Sequence, residues 1–220
     1  MRSLSLLETR VLGVLIEKAH TVPDSYPLSL NTLTLGCNQK TARDPVLNVA
    51  EAEVLMTVDA LKSLHLAFEA SGSRVSRYEH NLGRVLGLPA QSVALLAVLM
   101  LRGPQTCSEL RINCERLHKF ADLSAVEGFL DELAGRAEEK GGPLVVKLAR
   151  NAGEREQRWA HLLSGSVANL GSAADTGAAD FVATSELVAL KAQQGALQVE
   201  VNQLRMLVDK LYVELGVNRP

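Results

Sequence analysis

Leu7, Val11, Val14 and Leu15 fall at i, i+4, i+7 and i+8, which draws one apolar stripe down a helix near the start of the chain. Leu95, Leu96, Leu99 and Met100 draw a matching stripe further on, and Pro89 opens that helix, where a missing N–H costs nothing. Second helices are predicted over Ser29–Cys37 and Thr106–Leu117. The third helices repeat most clearly: Val54, Val58 and Leu61 in one copy, Val126, Leu130 and Leu133 in the other, with Asp59 and Asp131 at the same place between them. After each, the period drops from helical to alternating. Leu66, Phe68 and Ala70 lead to a Ser71-Gly72-Ser73 turn and a return over Val75–Glu79. In the second copy Leu144, Val146 and Leu148 lead to Asn151-Ala152-Gly153 and a return over Gln157–Leu163, with Trp159 and His161 on one side.

Three helices and a hairpin make the winged-helix plan. The predicted class is therefore mainly α with small β-hairpins (α+β): two tandem winged-helix domains over residues 1–83 and 84–164. The first copy is the longer, because polar stretches His20–Leu28 and Asn38–Asn48 separate its helices. A bare fold needs neither stretch, so both draw attention as places for function.

Residues 165–183 are small, polar and glycine-rich and predict a flexible linker. A C-terminal coiled-coil helix follows over 184–216. Leu190, Leu197, Leu204 and Leu211 take the d positions of a heptad, and Leu187, Gln194, Val201, Val208 and Leu215 the a positions. β-branched residues at a, leucine at d and one polar a residue favour a parallel homodimer in fixed register. Folding of this helix back onto its own chain is the alternative.

Bulk composition narrows the function classes. Hydrophobic residues make up 47% and charged residues 22%, the profile of an ordinary globular protein. A net charge of −2 argues against a surface that coats DNA or membrane over its whole extent. Cys37, Cys107 and Cys114 form no CxxC pair and are odd in number, which suits core thiols in a reducing, cytoplasmic setting. Glu8 and Arg10 interrupt the first apolar run, so no signal peptide is expected. Val93–Leu101 is the longest apolar stretch, about half of the ~18 residues a membrane span needs. His20, His65, His80, His118 and His161 are scattered without metal-ligand spacing, and no nucleophile elbow or phosphate-binding fingerprint occurs. Neither enzyme activity, cofactor nor metal is expected.

Candidate binding residues are of two kinds. Arg74, Arg77 and Tyr78 sit on the first hairpin and Arg150, Arg155 and Arg158 on the second, placed to hold nucleic-acid phosphates; a solvated surface of local ion pairs is the competing reading. Asn38, Gln39, Lys40, Thr41 and Arg43 form the densest run of hydrogen-bonding groups, fit either to grip a ligand or to satisfy backbone groups while Pro45 and Val46 re-enter the core. The third helices fit DNA poorly. Their outward faces show Glu53, Met56, Asp59 and Ser63 in one copy and Glu127, Asp131 and Glu132 in the other, and carboxylates repel a phosphate wall.

The segments Tyr26-Pro27-Leu28-Ser29, Cys37-Asn38-Gln39-Lys40-Thr41, Leu101–Thr106 and Glu109-Leu110-Arg111, with Arg74–Tyr78, resemble the YceH-like family of uncharacterised bacterial proteins. The likeness spans about Leu4 to Ser164 and departs from the family at Ala42 and Asp44. It implies two winged-helix domains in tandem and carries no established activity. Two functions follow as expectations: a dimeric DNA-associated regulator that touches phosphates with its wings, or a protein–protein adaptor that docks partners on the acidic third helices or the 38–45 loop.

Overall fold

The computed structural model describes residues 2–70, 75–150 and 156–165, all within one compact unit. The predicted linker and zipper, the Ser71–Ser73 and Asn151–Gly153 turns, Arg74 and Arg155 lie outside the described residues. The architecture is α+β, with helices around two small antiparallel sheets.

Helix α1 (Leu6–Thr21) opens with a capping box. The Glu8 N–H donates to Ser5 Oγ at 3.2 Å, and Ser5 N–H donates back to the Glu8 carboxylate at 2.7 Å. Strand β1 (Leu28–Ser29) leads into α2 (Leu30–Cys37), which Ser29 caps. Helix α3 (Glu51–Ser63) buries Val54, Val58 and Leu61 completely, as their spacing predicts. Strands β2 (Ala67–Ala70) and β3 (Arg77–His80) complete the first sheet, and α4 (Leu82–Leu86) follows directly. Gly87 ends α4 in the left-handed region at φ 63°, a conformation glycine adopts without strain.

The second half repeats the order with α5 (Ala90–Arg102), α6 (Cys107–Cys114), α7 (Leu123–Ala134), β4 (Val145–Lys147) and β5 (Trp159–His161). Val126, Leu130 and Leu133 are its buried stripe.

Four sequence expectations need correction. The first sheet has a third strand, in the order β1-β3-β2, with Leu28 opposite Tyr78 and Ser29 opposite Arg77. In the second half Gln105 repeats this as a single bridge, exchanging N–H···O bonds of 3.0 and 2.7 Å with Trp159. The alternation Leu66-Phe68-Ala70 is out of step by one residue: Leu66 and Ala67 are buried and Phe68 is 39% exposed. Leu66 hangs from α3 by its N–H to Leu61 O (3.0 Å), ahead of the strand, so the strand's inward parity begins at Ala67. Helix α6 stops at Cys114 rather than Leu117, and Val46 is 56% exposed rather than in the core.

The halves meet along α1 and α5. Residues Glu8–Ile16 of α1 and Ser92–Leu101 of α5 are buried without a break, and α5 also packs on α6, α7 and β5. A helix apolar all round is a helix buried all round, which explains the long Val93–Leu101 run. A single contiguous core therefore runs through both halves, from Leu4 to Leu163.

Candidate functional site

The hairpin arginines come first, because nucleic-acid contact was expected of them. Arg77 Nη1 donates to Pro27 O at 2.8 Å and to Ser25 O at 3.4 Å. Arg158 Nη1 makes the equivalent bond to Pro104 O at 3.1 Å and pairs with Glu109 at 2.9 Å. In each half an arginine at or just before the start of the last strand thus holds a proline carbonyl shortly ahead of the second helix. The residue after each arginine is a buried ring, Tyr78 at 4% and Trp159 at 2% exposure. Two residues further stand His80 and His161, each with its Nδ1 buried and unpartnered. Burial pushes both imidazoles down to about 4, with His20 adding a smaller repulsion on His80. The signal that marks this duplicated latch is Arg-aromatic-X-His, present at 77–80 and again at 158–161.

Arg150 differs. It is exposed and lines a cleft of about 280 Å³ between the second hairpin and the starts of α6 and α7, with Lys147, Glu127, Glu156 and Trp159. Lys147 Nζ lies 5.3 Å over the Trp159 ring. Ser108 donates to Glu156 across the mouth at 3.1 Å. Charges of both signs line this cleft.

The 38–45 loop is built inward. Asn38 exchanges two 2.8 Å bonds with the backbone of Val49. Arg43, whose side chain is 0% exposed, forks onto Glu17 at 2.6 and 3.1 Å and also donates to Gly36 O, Ala42 O and Gln39 Oε1. Burial alone raises the Glu17 carboxyl, and the Arg43 fork more than reverses this, leaving it below the ordinary carboxylate range. Gln39 also donates to Thr41 at 3.3 Å. Only Lys40 and Thr41 of the five candidate residues are fully exposed.

Beneath the loop, Arg10 of α1 is entirely buried and donates to Cys37 O (3.2 Å) and Pro45 O (2.6 Å). Asp44 N–H then reaches across to Leu101 O at 2.8 Å, at the end of α5. The stretches 37–41 and 101–106, far apart in sequence, are thereby tied into one junction. Cys37 lies inside it, its thiol pushed up to about 12 by burial against the smaller opposing pull of Arg10 and Arg43, and so chemically quiet.

The outward sides of the third helices are open to solvent. On α3 Met56 is 66% and Leu55 38% exposed, beside exposed Glu51, Glu53 and Asp59. On α7 Leu123 is 42% exposed, with Glu127, Asp131 and Glu132 also exposed. Among the described residues no three His, Cys, Asp or Glu group as metal ligands, and no helix is long and apolar enough to cross a membrane.

Residues 4–154 match the family described as "Protein of unknown function, DUF480". A UPF0502 protein of Burkholderia pseudomallei (strain 668) is 61% identical over 218 residues, covering 99% of this chain and 92% of the relative. A UPF0502 protein of Burkholderia thailandensis is likewise 61% identical, and one of Cupriavidus pinatubonensis 60%, each with the same coverage. The chain belongs to the DUF480 (UPF0502) family of bacterial proteins.

Proposed function

We propose that this chain is a non-enzymatic, tandem winged-helix protein that docks a basic protein partner on its third helices. The winged-helix part is supported by the repeated order of three helices and a hairpin, with β1 in the first half and the single Gln105 bridge in the second joining the sheet ahead of the second helix. One observation carries the docking part: α3 presents Met56 and Leu55 to solvent beside the exposed carboxylates Glu51, Glu53 and Asp59, while the arginines Arg77 and Arg158 are spent on carbonyls. Exposed apolar anchors beside several carboxylates match a partner segment carrying lysine or arginine around an apolar residue.

A photo-reactive residue placed at position 56 tests this. It is expected to capture a basic protein whose binding, measured with the purified pair, weakens on Met56→Glu and with added salt. Equal capture from position 112, on the exposed face of α6, would sink the idea.

DNA association is the second reading. Arg150 is exposed and unengaged among the described residues, and Arg111, Arg116 and Lys119 are exposed on and just after α6. Binding to random duplex across a salt series separates the two. A Kd tighter than roughly 10 μM near physiological salt, weakening steeply as salt rises, would replace docking by phosphate contact. Docking alone predicts no such binding.

The heptad over Leu187–Leu215 makes the homodimer part of this proposal. A chain with Leu197→Pro and Leu204→Pro is expected to be monomeric by light scattering; a persistent dimer would remove the zipper.

A further inference from the structure

A second cleft, also about 280 Å³, opens where α4 hands over to α5; Pro89, Ser92, Glu132, Arg136 and Lys140 are among its walls. Pro89 is the N-cap of α5, and its ring can accept nothing. The N–H groups of Ala90, Gln91 and Ser92 therefore have no acceptor among the described residues; the helix ladder starts only at Val93, which donates to Pro89 O. An uncapped helix start by itself is common. Here a buried side chain points the same way: Ser92 is 1% exposed, lines the cleft, and its hydroxyl has no hydrogen-bond partner among the described residues.

Two cations complete the picture. Arg136 donates through Nη2 to Leu86 O at 2.6 Å and to Lys140 O, which pins its guanidinium at the wall, and its Nε is buried without an acceptor. Lys140 stands exposed at the rim. Against these, Glu132 is the one carboxylate among the lining residues.

We propose that this cleft binds a phosphate-class oxyanion, either the free ion or a phosphate monoester. Its oxygens would accept from the Ser92 hydroxyl and the first-turn N–H groups of α5, while Arg136 and Lys140 supply the charge. The positive end of a 13-residue helix adds to the same field. The site lies at the junction of the two halves and is independent of the docking proposal.

The test follows the amides of Ala90, Gln91 and Ser92 in the ¹⁵N-labelled full chain during titration with inorganic phosphate, chloride holding the ionic strength constant. All three are expected to shift saturably. Ser92→Asp puts a carboxylate where a helix start favours one, so the variant stays folded while phosphate affinity drops roughly tenfold or more. Lys140→Gln, at an exposed position, should weaken binding severalfold with an unchanged Tm. Phenyl phosphate moving the same amides supports the ester form; its exclusion supports the free ion. Unshifted wild-type amides at millimolar phosphate, or an undiminished response in both variants, overturns the proposal.

Discussion

Arginine is the residue at which a reading of surface charge departs most from the folded molecule. Arg43, Arg77 and Arg158 look alike in sequence as free cations, yet each directs its planar fork at backbone carbonyls or a carboxylate within reach. For Arg43 the consequence is measurable, because its side chain is fully buried against Glu17. Arg43→Ala leaves that carboxylate only Lys18, at 3.3 Å, and should lower unfolding free energy by about 3 kcal/mol in urea melts, the low end for a broken buried pair. A loss under about 1 kcal/mol would show that the loop stands without it. The histidines give a pH signature. His161 is held at about 4 in the fold against an ordinary 6.5, so between those values the unfolded chain binds the extra proton. Stability then falls as pH drops from 6.5 towards 4, by about 2 kcal/mol at pH 5 from this residue. His80 acts in the same direction. Urea midpoints that coincide at pH 7 and pH 5 would contradict this. None of these partnerships was visible in the sequence, because each joins residues distant along the chain.

Among elements, stripes with the period of a helix were legible and short strands were less so. The third helices bury the residues their spacing names, since a stripe repeated over three turns overrides local exceptions. Strand β2 has four residues, too few for the same averaging, and one inward residue placed just ahead of it shifted the apparent face. Helix packing depends on a feature that periodicity hides: where glycine lets backbones close up. A Cβ on Gly36 of α2 would lie 2.6 Å from Val14 Cγ1 of α1, and one on Gly13 would lie 2.9 Å from Leu101 Cγ of α5. Gly36→Ala should therefore destabilise by about 1–3 kcal/mol despite its better helix propensity. Gly128 in α7 meets nothing within 4 Å, so Gly128→Ala should stabilise by roughly 0.5–1 kcal/mol. Thermal melts of the two variants should move in opposite directions; a shared direction would mean that propensity, not space, governs both sites.

At the scale of the whole molecule, one core runs through both halves by way of α1 and α5, with Asp44 and Leu4 adding backbone bonds to Leu101 and Leu163. Heating should accordingly unfold residues 2–165 in one transition, followed by far-UV CD and by the fluorescence of Trp159. Two separated transitions would restore independent domains. By itself the sequence determined the main helices and hairpins, their order, their duplication and the exposed acidic face of each third helix, because these follow from local periodicity and from the placement of charge outside the apolar stripe. Only the tertiary structure decided that Arg77 and Arg158 are latches, that the polar loop is a strut between the halves, and that the start of α5 stands uncapped beside two cations. Those outcomes depend on which distant carbonyl, carboxylate or helix end comes within about 3 Å of a side chain, a distance no spacing along the chain encodes.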